Sequence, residues 1–331
     1  MRSPHRAAID VTKRLGAPGK TRQPGYIAEV ILCDVSGMAL LSHISCSAKL
    51  VRRHGPLVEW IVGNGASEGA AVTNISFDNE MARLQRALAQ CHDMVVRRSV
   101  VLEALNLRSG EKVLEIGCGG GFYAYEAGQF VGSAGHVMAI DISADQVDAA
   151  RKRCVELPWV ECQIANATEL PQASSELDAV YCVQVLEYVA DLAKALREIQ
   201  RVLRPGGRFV NLATNWSSLV WHSENPERMR RLLGAWSAHA PYPDLPSILA
   251  AALRKAGLQP VRQRAVSILN TSYNDNCFST WLAKMVARYA VDRGITADEA
   301  KAWLAEFTTL EQRSEYFFSS TPVVTEAVRV S

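Results

Sequence analysis

Between Lys112 and Ala213 the chain alternates short apolar runs with stretches of helical periodicity, and few folds accept that pattern. Segments 112–116, 136–141, 160–164, 179–183 and 208–213 each carry Val, Ile or both, as buried strands do. Segments 122–130, 144–154 and 192–203 return apolar residues every three or four positions, as helices packed on one face do. Strands separated by helices of this length build βαβ units, whose parallel sheet is covered on both faces. The sequence therefore predicts an α/β, doubly wound sheet.

The flanks set the domain organisation. Helical spacing over 81–90 and 96–105 leads into the first strand, and Arg108-Ser109-Gly110 stops it. Beyond Thr214 a Trp- and His-rich stretch reaches Asp244. A helix follows over 245–256, a strand over 258–269, a helical insertion over 276–312 and a final strand across 316–328. The main domain is expected over 81–331, with its core at 95–215 and 256–331 and helical lid insertions at about 215–245 and 276–312. Residues 1–80 read as a partly disordered N-terminal appendage. They hold a glycine-rich break, Gly63-Asn64-Gly65-Ala66-Ser67-Glu68-Gly69, and a basic leader with Arg2, Arg6, Lys13, Arg14, Lys20 and Arg22 against one acid, Asp10. The leader reads as an arm rather than a targeting segment.

Charge and cysteine usage exclude several classes. Thirty-six Lys and Arg against 34 Asp and Glu leave a net charge of +2, so no global field gathers polyanions and nucleic acid is not an expected partner. Eight cysteines without a CxxC pair or a secretory signal suggest reduced thiols in the cytoplasm. The most apolar stretch, 26–51, is interrupted by Glu29, Asp34, His43 and Lys49, so no membrane span is expected. No residue is assigned to a metal.

The chemistry is carried by Val113-Leu-Glu-Ile-Gly-Cys-Gly-Gly-Gly121-Phe-Tyr, an apolar strand with an acid, Glu115, running into a glycine loop. Glycines there let the backbone turn tightly and let a ligand approach the peptide groups. A dinucleotide fold would place its third glycine where Phe122 stands, so that spacing fails. The G-x-G-x-G spacing of Gly117, Gly119 and Gly121, with a second acid, Asp141, ending the next strand, resembles the class I S-adenosylmethionine-dependent methyltransferases. Further matches are Ala165-Asn-Ala-Thr-Glu-Leu-Pro171 after strand three, 176–188 at strand four and Leu203-Arg-Pro-Gly-Gly-Arg208 before strand five. The match covers roughly 95–215, and two more strands extend it toward the C-terminus as a seven-stranded Rossmann-like sheet.

The resemblance implies S-adenosyl-L-methionine as cofactor, with the glycine loop under its amino-acid part and Asp141 accepting from both ribose hydroxyls. Asn166 stands where the family has Asp. Its carbonyl is expected to accept from the adenine amino group, and the Ala167 N–H to donate to the ring. Glu115, Cys118, Ile142 and Gln184 complete the expected cofactor set.

The acceptor class follows by comparison. The strand-four end, Cys182-Val-Gln-Val-Leu-Glu-Tyr188, lacks the Asn/Asp-Pro-Pro-aromatic motif of nucleic-acid amino-group methyltransferases. Protein arginine methyltransferases need two glutamates there, and only Glu187 is present. Arsenite methyltransferases need a cysteine after strand five, and none occurs between Phe209 and Cys277. The nearest resemblance is to the small-molecule methyltransferases of ubiquinone and menaquinone biosynthesis. It implies methyl transfer by in-line displacement to a small organic acceptor, with Glu187, Tyr188, Trp216, Trp221, His222 and Tyr273 around it and His222 as general base. A competing role for any one of these aromatics is to pack the lid onto the sheet. A cofactor-binding regulatory protein without turnover stays open as an alternative, as does a homodimer.

Overall fold

Leu192, Ala195, Leu196, Ile199 and Val202 recur every three or four positions, and the Asp191 carboxylate caps the Lys194 N–H, so 192–202 winds as a helix with one buried face. The same rules generate the other elements of the computed structural model, which describes residues 79–330. Two helices come first, α1 (Asn79–Leu88) and α2 (His92–Leu105). The alternating core follows as β1 (Lys112–Ile116), α3 (Phe122–Val131), β2 (His136–Asp141), α4 (Ala144–Arg153), β3 (Val160–Ile164), β4 (Leu177–Val183), α5 (Leu192–Val202) and β5 (Leu203–Thr214). The remainder comprises β6 (Val220–Trp221), α6 (Pro226–Trp236), α7 (Leu245–Lys255), β7 (Leu258–Ala265), β8 (Ile268–Asn270), α8 (Phe278–Val291), α9 (Ala297–Gln312), β9 (Phe318–Ser320) and β10 (Pro322–Arg329). The expected extension over 1–80, with its basic leader, glycine break and apolar stretch, lies outside the described residues except for Asn79 and Glu80. Among the described residues no helix is long and apolar enough to cross a membrane.

The main sheet has seven strands in the order β3-β2-β1-β4-β5-β10-β7. Strands β1 to β5 are parallel, and the order reverses direction between β1 and β4, so a crevice opens at their carboxyl ends. One face packs Val101, Leu105, Ala124, Val147 and Tyr181 between the sheet and α2, α3 and α4. The other packs Val180, Leu196, Ile199, Phe209 and Leu249 beneath α5 and α7.

The seven-stranded, doubly wound sheet is as expected, and the structure adds the direction of its last strands: β10 enters between β5 and β7 and runs antiparallel to both, so the sheet is mixed. The two C-terminal strands are also each divided. The chain leaves β7 at Ala265 to form β8, and β9 precedes β10, so that β6, β9 and β8 make a separate three-stranded antiparallel sheet. That sheet joins both insertions. Together with α1, α6, α8 and α9 it buries a third core of Leu84, Trp221, Trp236, Trp303, Phe307 and Phe318. Trp303 is fully buried there, against Trp221 and Phe307. Trp303→Ala is expected to lower stability by about 3–5 kcal/mol, read as a fall in the urea unfolding midpoint.

Candidate active site

The chain leaves β1 at Ile116 and must turn at once into α3. At Gly121, φ is +75° and a Cβ would lie 2.8 Å from the Ala150 Cα, so only glycine fits where α3 packs on α4. At Gly117 a Cβ would strike Val185, 2.2 Å away. Gly119 differs: nothing lies within 4 Å of where its Cβ would stand. The Gly117 and Cys118 N–H groups donate to the Ile140 carbonyl at 2.7 and 2.9 Å. The Gly119 N–H donates to Asp141 Oδ2, and the Ser143 N–H to Asp141 Oδ1, both at 2.9 Å. Burial raises the Asp141 carboxyl from its ordinary value, against the pull of those donors.

A groove of about 850 Å³ runs from this loop across the switch point, lined by Gly117, Asp141, Ile142, Asn166, Ala167 and Gln184 among others. Ile142 is 74% exposed, an apolar side chain standing uncovered beside Asp141. Asn166 is also on the groove, but its Oδ1 already accepts from the Thr168 N–H at 2.9 Å and the Thr168 hydroxyl at 3.0 Å. The carbonyl expected to meet a ligand is thus spent on its own turn, and the amide NH₂ remains.

A smaller cavity of about 110 Å³ adjoins the groove and shares Gln85, Gly117, Val183, Gln184 and Tyr188 with it. Glu115 and Cys118 line its floor. The Glu115 carboxyl accepts from the Tyr181 hydroxyl at 3.1 Å, and burial pushes it well above its ordinary value. Gln184 stands where the two spaces meet with φ +57°, a left-handed conformation in a residue with a side chain. The Gln184 N–H donates to the Leu212 carbonyl at 2.8 Å and its Oε1 accepts from the Thr214 hydroxyl at 3.1 Å. This is stored strain at the point of contact between the cavities.

The residues expected around the acceptor divide sharply. Tyr188 and Trp216 line the inner cavity, joined by Trp236 and Phe278. Trp221 does not; its indole donates to the Tyr316 hydroxyl at 2.9 Å within the insertion core. Tyr273 packs against Phe307 and Tyr316 in the same core. His222, the expected base, is exposed and lines neither space. The cause is strand alternation: with Trp221 turned into the core, the next residue of the paired segment turns out. Glu187 is fully buried behind the wall, with both carboxyl oxygens unpartnered and burial pushing it up to about 8.

His239 is equally buried, stacked on Trp236 at 4.0 Å and edge-on to Trp216 at 4.8 Å. Its Nδ1 lies 2.6 Å from the Trp236 carbonyl and must carry the hydrogen, leaving Nε2 without a partner. Burial lowers it to about 4, so the ring is neutral near pH 7.

The helices before the motif contribute walls that sequence reasoning passed over. From α1, Gln85 and Arg86 reach the site through Gln146, which accepts from Arg86 Nη1 at 3.0 Å and donates to Gln85 Oε1 at 2.6 Å. From α2 come Met94 and Arg97. A signal existed for Arg97: it falls on the buried stripe of Met94, Val101, Leu102 and Leu105, where a charge needs a reason.

Residues 114–211 match the family model described as a methyltransferase domain. That segment of the chain is similar to methyltransferase domains. Among curated proteins it is 37% identical over 153 residues to an uncharacterized 37.1 kDa protein of transposon Tn4556 from Streptomyces fradiae, covering 46% of this chain and 42% of that one. It is 33% identical over 120 residues to the demethylmenaquinone methyltransferase of Halalkalibacterium halodurans, covering 36% of this chain and 49% of that one. The chain thus spans about half the length of the curated relatives it matches. Among solved structures, a methyltransferase candidate from Bacillus halodurans C-125 aligns with a TM-score of 0.52 at 17% identity, over 71% of this chain and 100% of that one. YcgJ from Bacillus subtilis gives 0.50 at 19%, over 72% and 99%. These two share the fold of this chain.

Glu187 yields a pH prediction. Its folded pKa of about 8 stands above the 4.5 of a free glutamate, so the native state holds a proton that the unfolded chain releases. The stability this adds is full below pH 4.5 and is lost as pH rises through about 8. Glu187→Gln is expected to flatten that loss: its thermal midpoint falls less than the wild type's between pH 5 and pH 8 in calorimetry.

Proposed function

We propose that the protein transfers the methyl group of S-adenosyl-L-methionine to a small organic acceptor, the groove holding the cofactor's nucleoside and the adjoining inner cavity the reacting end, where the acceptor meets it. The observation that carries this reading is the open space at Gly119 beside Asp141, at the switch point between β1 and β4. Loop, acid and exposed apolar side chain fit a nucleoside that ends in an amino acid. Asp141 uses each oxygen for one backbone N–H and keeps lone pairs for ribose hydroxyls. Ile142 offers an apolar face to a base, and Ala167 and Asn166 offer its edge polar groups. When bound, the cofactor supplies a methyl group already activated by its sulfonium, for in-line displacement.

What the chain contributes is then position and exclusion of water. The inner cavity is walled by Tyr188, Trp216, Trp236 and Phe278, where an acceptor is held in one orientation beside the glycine loop. With His222 outside both spaces, positioning carries more of the catalysis than proton removal does. The similarity to demethylmenaquinone methyltransferases supports a small organic acceptor, as does a net charge of +2 that favours no polyanion.

Calorimetry with S-adenosylhomocysteine tests the cofactor reading. The wild type is expected to bind. Gly119→Arg, which fills the open space, and Asp141→Ala, which removes the acceptor pair, are each expected to weaken binding at least roughly tenfold. A wild-type protein that binds neither cofactor nor product would sink the reading. Isotopically labelled cofactor incubated with a metabolite extract, followed by mass spectrometry, then identifies the methylated product.

A further inference from the structure

Arg97 and Arg98 occupy adjacent buried positions on α2 and meet opposite fates. Arg98 is fully engaged, donating from Nε to Glu126 at 2.8 Å and from Nη1 to the Ala89 carbonyl at 2.5 Å. Arg97 is 9% exposed, lines the inner cavity, and has no carboxylate within ion-pairing distance among the described residues; its Nε has no partner at all. A guanidinium keeps its charge at any physiological pH, and burying one without a counter-charge is strongly unfavourable.

The surroundings supply none. Glu187 is near enough to feel the Arg97 charge, yet burial holds it up to about 8, so it is mostly protonated at neutral pH. Glu115 already accepts from the Tyr181 hydroxyl and burial disfavours its charged form, and Gln184 Oε1 accepts from Thr214. The remaining orphans among the cavity-lining side chains include more donors: the indole N–H groups of Trp216 and Trp236 are buried without acceptors. Arg86, the other guanidinium on the lining, is turned to Gln146 Oε1, so the cavity combines a buried cation without a counter-charge with unanswered N–H donors and calls for an occupant that brings negative oxygen atoms.

We propose that the inner cavity is a carboxylate site, with the Arg97 guanidinium as the cation and the Trp216 and Trp236 indoles as further donors. The inference deepens the methyltransferase reading and rests on it for the source of the carboxylate. Two parts of a productive complex carry that chemistry: the amino-acid tail of the cofactor, or an acidic methyl acceptor. The second would make the substrate an organic acid rather than a neutral ring.

The test compares wild type, Arg97→Met and Arg97→Lys by titration calorimetry against two ligand pairs. The first is S-adenosylhomocysteine against 5′-methylthioadenosine, which lacks the carboxylate. The second is benzoate against benzamide, each with and without saturating S-adenosylhomocysteine. If the cofactor tail sits on Arg97, the wild type prefers S-adenosylhomocysteine and Arg97→Met shrinks that preference roughly 10- to 100-fold. If the acceptor does, the wild type prefers benzoate over benzamide, Arg97→Met loses that preference, and cofactor affinity is unchanged. Either result supports the carboxylate site. In both, Arg97→Lys, which keeps the charge, recovers part of the effect and guards against a misfolded Arg97→Met. A wild type with neither preference, or a folded Arg97→Met that keeps whichever preference the wild type has, overturns it. A wild type that binds neither nucleoside ends the methyltransferase reading, while the benzoate comparison without nucleoside still decides the carboxylate site.

Discussion

Three consecutive peptide N–H groups, those of Gly117, Cys118 and Gly119, are all spent on the end of β2. Two go to the Ile140 carbonyl and one to the Asp141 carboxylate, so the exits of two neighbouring strands are tied together before any ligand arrives. The tie demands a backbone that reverses within a few residues, and the left-handed glycines on either side supply it. It also fixes the Asp141 side chain from two directions, through Gly119 and Ser143. A binding group already held in place loses little freedom when it is used. The groove, the inner cavity and the start of α3 all take their positions from this knot.

The cavity wall is assembled differently. Its polar floor belongs to the sheet, in Glu115 and Gln184, while its aromatic roof belongs to the insertion after β5 and to α8. The roof is rich in groups left unsatisfied: the Trp216 and Trp236 indoles and the Nε2 of His239. Buried polar atoms without partners are uncommon in native proteins, and their concentration around one small space separates it from an ordinary packing defect.

The parallel core was legible because its signals are local. Strand ends at Ile116, Asp141 and Ile164 follow from apolar runs bounded by turns, and the loop follows from glycine spacing. What escaped was set at long range. Apolar patterning along 316–328 says strand but carries no direction, so the antiparallel entry of β10 was invisible. Whether Trp221 or His222 faces inward depends on pairing with β9, which comes from the far end of the chain. The roles of Trp216 and Trp221, identical in type and five positions apart, separate only once the roof has folded. Arg97 is the local exception: a charge on the buried stripe of α2 is visible in the sequence, but what it faces is set by the glycine loop and the distant roof.

The small sheet of β6, β9 and β8 has a mechanical meaning. One residue, Thr321, separates β9 from β10, and Val266 and Ser267 separate β8 from β7, so two strands of the main sheet run almost unbroken into the roof. The roof is therefore cantilevered from the main sheet by a pair of stiff struts, and β6 clamps the first insertion to them. Such a structure cannot flap one insertion at a time. Across the site α1 is tied to α4 by the Arg86–Gln146–Gln85 chain of side-chain hydrogen bonds, and its Met81, Leu84 and Leu88 enter the roof's own core, so the wall on that side is built into the roof rather than latched to it.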